Sequence, residues 1–103
     1  MYQVVLCTCP SIESAKEIAM LLVQKKYAAC INIIPNIISI YRWQDTIELS
    51  EEVQLLIKTE SVKFNIVCSE INRIHPFDTP EVIALNIQQG DAHYLNWIKE
   101  SLN

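Results

Sequence analysis

Apolar and polar positions along the chain change period from stretch to stretch, and each period predicts an element. Tyr2–Thr8 is a short run rich in β-branched and apolar residues, the pattern of a buried strand. Pro10-Ser11 ends it and offers Ser11 as a helix N-cap. From Ile12 the apolar positions Ala15, Ile18, Ala19, Leu22 and Val23 recur every three or four residues, the stripe of an amphipathic helix. Lys25 and Lys26 are expected in its last turn, where cations complement the helix dipole. Ala29–Trp43 reads as one long isoleucine-rich strand, interrupted at Pro35-Asn36, where proline cannot donate to a ladder and a bulge is expected. The polar Gln44-Asp45-Thr46 reverses the chain into Ile47–Thr59, in which Val53, Leu55 and Ile57 alternate with Gln54, Leu56 and Lys58. Ser61 is then placed to cap a second helix with the stripe Phe64, Val67, Cys68, Ile71 and Ile74, closed by His75-Pro76. Glu81–Ile87 predicts a fourth strand, Gly90-Asp91 a turn and cap, and Ala92–Leu102 a terminal helix.

The order β-α-β-β-α-β plus one helix predicts an α+β, ferredoxin-like sandwich, a single domain over residues 1–103. Two helices cover only one face of a four-stranded sheet. The strands nonetheless carry apolar residues on both faces, with Ile34, Leu56, Ile83 and Leu85 turned away from Ile33, Leu55, Val82 and Ala84. A sheet face this apolar calls for another subunit, so an oligomer is expected.

Composition narrows the function classes. Twelve acidic residues against eight basic ones give a net charge of −4, which repels phosphate backbones and argues against nucleic acid. The longest uncharged stretch, Tyr27–Tyr41, is broken by Asn32, Pro35, Asn36 and Ser39 and falls short of the roughly 20 apolar residues of a membrane helix. The start MYQVVLCTCPS lacks the basic and long apolar regions of an export signal, so a cytoplasmic chain is expected. The single glycine, Gly90, excludes phosphate-wrapping loops, which need several. Two histidines exclude a three-histidine zinc site within one chain, and four cysteines without an export signal read as reduced thiols. No nucleophile–base pair stands out, and Arg42 and Arg73 are the only arginines, so an enzyme is not expected.

Candidate chemistry concentrates in two places. Cys7-Thr8-Cys9 sets two thiols on one strand face, where they either pack as small core residues or share a soft cation such as Cu(I). Cys30 and Cys68 read as packing residues. His75-Pro76-Phe77-Asp78-Thr79-Pro80-Glu81 packs an imidazole and two carboxylates between rigid prolines. There His75 either ligates a metal or binds an anion, or it caps the carbonyls of the preceding helix. Tyr41 and Trp43 share a strand face as a cross-strand packing pair, Lys58 either binds an anion or snorkels at a rim, and Glu48, Glu51 and Glu52 read as a solvated hairpin arm.

The segments Ala29–Pro35, Ser39–Trp43, Leu56–Thr59, His75-Pro76, Thr79–Glu81 and Tyr94–Ile98 together resemble the CutA family of divalent-cation tolerance proteins, across essentially the whole chain. The resemblance implies a tight homotrimer similar to the PII signalling proteins, copper or another divalent cation as ligand, and a role in metal tolerance. It assigns Cys7 and His75 as metal ligands; two donors make an incomplete shell, so a third is expected from Cys9, from Glu81 or from a neighbouring subunit, and folding is not expected to require a metal. Ile74 stands where some members have a second histidine, Glu70 where some have a cysteine, Phe77 for a tyrosine and Asn36 for a glycine. Weak copper binding is therefore expected. The alternative function is a PII-like sensor that binds an anionic small molecule in an intersubunit cleft near Tyr41, Trp43, Lys58, His75, Pro76 and Glu81.

Overall fold

The computed structural model describes residues 1–103. Its elements are β1 (Tyr2–Cys9), α1 (Ile12–Gln24), β2 (Cys30–Trp43), β3 (Thr46–Glu60), a 3₁₀ turn (Ser61–Lys63), α2 (Phe64–Ile74), β4 (Ile83–Asn86) and α3 (Ala92–Ser101). The strands form one antiparallel sheet in the order β2-β3-β1-β4, the ferredoxin-like arrangement expected from the element order.

Alternation decides which side chains meet the helices. Val5, Cys7 and Cys9 of β1 and Val53, Leu55 and Ile57 of β3 all point to one face, where Ala15, Ile18 and Leu22 of α1 and Val67 and Ile71 of α2 close over them. Helix α3 packs on the opposite face at one end of the sheet. Its Ile98 and the following Leu102 bury against Ala29 and Tyr2, and Tyr94 reaches Cys30.

Apolar exposure lies in two places. On the face opposite α1 and α2, Ile34, Ile83 and Leu85 stand open, as expected. A second exposed set, Ile38, Ile40, Ile47 and Leu49, occupies the β2–β3 arm, which outruns the helices and stretches the molecule to 45 Å.

The chain turns without spending glycines. Asn36 takes a left-handed φ of 61° at the expected bulge, where the β2–β3 register shifts between Ile34 and Ile37. Gln44 and Asp45, at φ 49° and 66°, form a two-residue hairpin loop between the paired Trp43 and Thr46.

Several boundaries differ from expectation. Helix α1 stops at Gln24, because Lys26 turns left-handed at φ 62° and hands the Leu22 carbonyl to the amides of Tyr27 and Ala28. Neither lysine is in the last helical turn. Ser61 does not cap a helix: its amide donates to the Met1 carbonyl, and α2 begins only after a 3₁₀ turn with no side-chain cap. Strand β4 is shorter than Glu81–Ile87, since Glu81 is engaged by the Thr8 side chain and has no place in the ladder. Ser11 and Asp91 cap α1 and α3 as expected, accepting from the amides of Ser14 and Tyr94.

Candidate metal centre and adjoining cleft

The end of β1 and the exit of α2 converge. Cys7 and Cys9, two apart on a strand, both face the core and are fully buried. The proline at 76 holds His75 in an extended conformation (φ −70°, ψ 138°), which ends α2 and throws the imidazole back under β1. The donor atoms of Cys7, Cys9 and His75 lie within 4.8 Å of one another. The resemblance pointed to Cys7 and His75, and Cys9 joins them.

The ring of His75 does not cap helix carbonyls. Phe77 N–H donates to Nδ1 at 3.0 Å, so Nδ1 is unprotonated and Nε2–H donates to the Thr8 carbonyl at 2.8 Å. That carbonyl needs a partner for a topological reason. Along β1 the carbonyls of Tyr2 and Thr8 point to the β4 side, where Ile87 N–H meets Tyr2, but β4 pairs no farther than Leu6. His75 stands in for the missing strand residue.

The thiols are electrostatically unlike each other. Hydrogen bonding to the Cys9 sulfur, burial, and the negative charges of Cys9 and Glu81 push the Cys7 thiol far above the ordinary range. The same hydrogen bond, donated by Cys7, lowers Cys9. Thiolate is the ligating form, so a cation entering here displaces the proton of each thiol it binds.

Two sulfurs and an imidazole fit a soft or borderline cation, and not a hard ion such as Mg²⁺ or Ca²⁺. Both ring nitrogens of His75 are already occupied, so the thiols present the more available donors. Glu81, a further ligand candidate, is not in the cluster. It lies on the opposite side of β1, where its Oε1 accepts from Thr8 Oγ1 at 2.6 Å and from Gln54 Nε2 at 3.5 Å.

On that opposite side a cleft of about 670 Å³ opens between the β2–β3 arm and the loop after His75. Tyr41 and Trp43 line one wall and Pro76 and Phe77 the other, with Glu52, Asp78 and Glu81 between them. Tyr41, Trp43, Pro76 and Glu81 were expected there. Lys58 was too, but it is elsewhere: its ammonium donates to Asn32 Oδ1. No basic residue of this chain lines the cleft. Tyr41 and Trp43 are less a packed pair than two open rings, 43% and 59% exposed, with the Tyr41 hydroxyl 3.1 Å from Ser50 Oγ.

The pattern of residues missed Glu52 and Thr8. Glu52 sits in an acidic run read as solvated, yet it is 9% exposed. Its signal was adjacency to Val53, the first core-facing residue of β3, opposite the bulge at Pro35-Asn36. Cys30 and Cys68 are half-buried and free, and His93 is exposed. No helix is long and apolar enough to cross a membrane.

Comparison with known proteins accounts for the whole chain. The family model described as CutA1 divalent ion tolerance protein matches residues 3–101. A solved structure of the divalent cation tolerance protein Cut A1 from Thermus thermophilus has a TM-score of 0.96 at 42% identity, covering 98% of both chains. Another, described as the periplasmic divalent cation tolerance protein CutA from Archaeoglobus fulgidus, has a TM-score of 0.97 at 39% identity and covers 100% of both. The human protein CutA is 44% identical over 93 residues, which are 90% of this chain but only 52% of the human one, so the chain spans about half of that relative. This protein belongs to the CutA1 divalent ion tolerance family.

Proposed function

We propose that the protein is a non-enzymatic, PII-like homotrimer that binds copper at Cys7 and Cys9, with His75 as third donor, and acts in metal-ion tolerance. The observation that carries the reading is the convergence of two buried thiols and an imidazole within 4.8 Å, in a family described by divalent ion tolerance. Sulfur donors select copper over the hard cations that outnumber it in a cell. Binding is weak, because it breaks the Cys7–Cys9 hydrogen bond and requires His75 to release either Thr8 or Phe77.

Three features support the remainder of the reading. The exposed isoleucines and leucines of the β2–β3 arm and of the second sheet face ask for a subunit interface. Four free thiols suit the reducing cytoplasm. The family description names tolerance and no reaction.

Thermal unfolding at fixed protomer concentration tests the metal. Cu(I) supplied anaerobically should raise the midpoint of the wild type, since a ligand at 100 times its Kd stabilises by about 2.7 kcal/mol. Cys7→Ser and Cys9→Ser should lose that rise while remaining folded. An equal rise in both variants contradicts the assignment.

A further inference from the structure

Cys7 and Cys9 are the two thiols of the chain that meet each other. Both are fully buried, on the sheet face that α1 and α2 cover, so a subunit packed on the other face leaves the pair intact. Cys30 and Cys68 have other neighbours: their sulfurs meet the Tyr94 hydroxyl at 3.3 Å and Asn72 Nδ2 at 3.6 Å. Between Cys7 and Cys9 one sulfur hydrogen-bonds the other, and the His75 ring lies beside them.

A thiol pair can do what a single thiol cannot. The thiol–disulfide couple moves two electrons, so two sulfurs in contact can each give up one and end as a closed-shell product. Closure is within reach here. Residues two apart on a strand have Cα atoms about 6.4–6.8 Å apart, the upper end of the disulfide range. Cys9 is the last residue of β1, and β4 pairs no farther than Leu6, so β3 alone holds the strand where it must tighten.

Burial selects the oxidant. A sealed pair shuts out a bulky disulfide and admits a small ion with affinity for sulfur. Copper is that ion on the function proposed above, on which this inference rests, because it must reach the same two sulfurs. Cu(II) accepts one electron and becomes Cu(I), the softer ion. We infer that the reduced pair acts as a copper(II) reductant, with Cu(II) as its substrate. Cys7 and Cys9 each pass one electron to a Cu(II) ion, both thiol protons leave to solvent, and the Cys7–Cys9 disulfide forms. Two Cu(II) thus yield two Cu(I) per chain. The disulfide retains no thiolate to hold Cu(I), so the reduced ions are released.

The test uses the full chain carrying Cys30→Ser and Cys68→Ser, so that Cys7 and Cys9 are its only thiols. Cu(II) sulfate is added anaerobically to fully reduced protein freed of small thiols, and a colour-forming Cu(I) chelator counts the product. Acid quenching, denaturation and alkylation then precede peptide mass spectrometry. About two Cu(I) per chain should appear, and the peptide carrying Cys7 and Cys9 should resist alkylation and be lighter by two hydrogens. Cys7→Ser and Cys9→Ser in the same background should each slow Cu(I) formation by about tenfold or more. Cys7→Ala and Cys9→Ala, which keep the core apolar, take their place where a serine prevents folding. Cu(I) formation at the parent rate in either variant overturns the inference, as does a parent whose two cysteines stay thiols or link between chains. Cu(I) binding in calorimetry without reduction of Cu(II) overturns this inference and spares the proposed function. Reduction with disulfide formation but no Cu(I) binding does the reverse.

Discussion

The imidazole of His75 replaces a strand residue that β4 does not supply, so removing it should unfasten the end of β1. In His75→Ala the Thr8 carbonyl loses its partner at 2.8 Å and Phe77 N–H loses its acceptor at 3.0 Å. A buried acceptor left unpaired costs about 1–3 kcal/mol. The Phe77 amide sits in an exposed loop where water takes over, and costs about 0.5 kcal/mol. Truncating a buried ring adds about 1 kcal/mol of lost packing. The expected sum is about 2.5–4.5 kcal/mol. Urea unfolding at fixed protomer concentration measures it, as a midpoint shift of at least about 1 M for a slope of about 1–2 kcal/mol per molar. His93→Ala is the control, since that histidine is exposed and should stay within about 0.5 kcal/mol of wild type. If His75→Ala unfolds with the control, the ring does not complete the edge of β1 and the reasoning fails.

Other consequences are equally specific. Thr59, fully buried, donates to the Tyr27 carbonyl at 2.7 Å, so Thr59→Val should cost about 1–3 kcal/mol in the same assay, whereas Thr59→Ser should retain most of the stability. In native alkylation followed by mass spectrometry, Cys30 and Cys68 should label well before the sealed Cys7 and Cys9, and denaturation without reductant should expose all four as thiols. Asn36→Ala should destabilise by about 1 kcal/mol, because φ 61° penalises a Cβ without a short polar side chain, and Asn36→Gly should be nearly neutral. Sedimentation should give threefold the chain mass with no stable monomer, and a folded monomer contradicts the reading of the exposed isoleucines.

What the residue pattern revealed, and what it did not, follows from range. Strand and helix periods, the Asn36 bulge and the Ser11 and Asp91 caps are local, and they were legible. The common face of Cys7 and Cys9 was legible for the same reason. The end of β4 was not, because Glu81 answers to Thr8, 73 positions away. The burial of Glu52 depends on how the bulge and the loop after His75 close around it, and alternation carries no trace of that loop. The role of His75 was open between a ligand and a helix cap. Its actual partner, the Thr8 carbonyl, exists as an orphan only because a different strand stops short.

The central claim is that Cys7 and Cys9 are the metal donors, and anaerobic calorimetry with Cu(I) under non-thiol reductant tests it most directly. Wild type should bind about one ion per chain, with an affinity that rises with pH as the two thiol protons are displaced. Cys7→Ser and Cys9→Ser should weaken it by at least about tenfold, and His75→Ala by less, because a thiolate supplies charge as well as softness. Folded Cys7→Ser that binds Cu(I) as tightly as wild type would contradict the account.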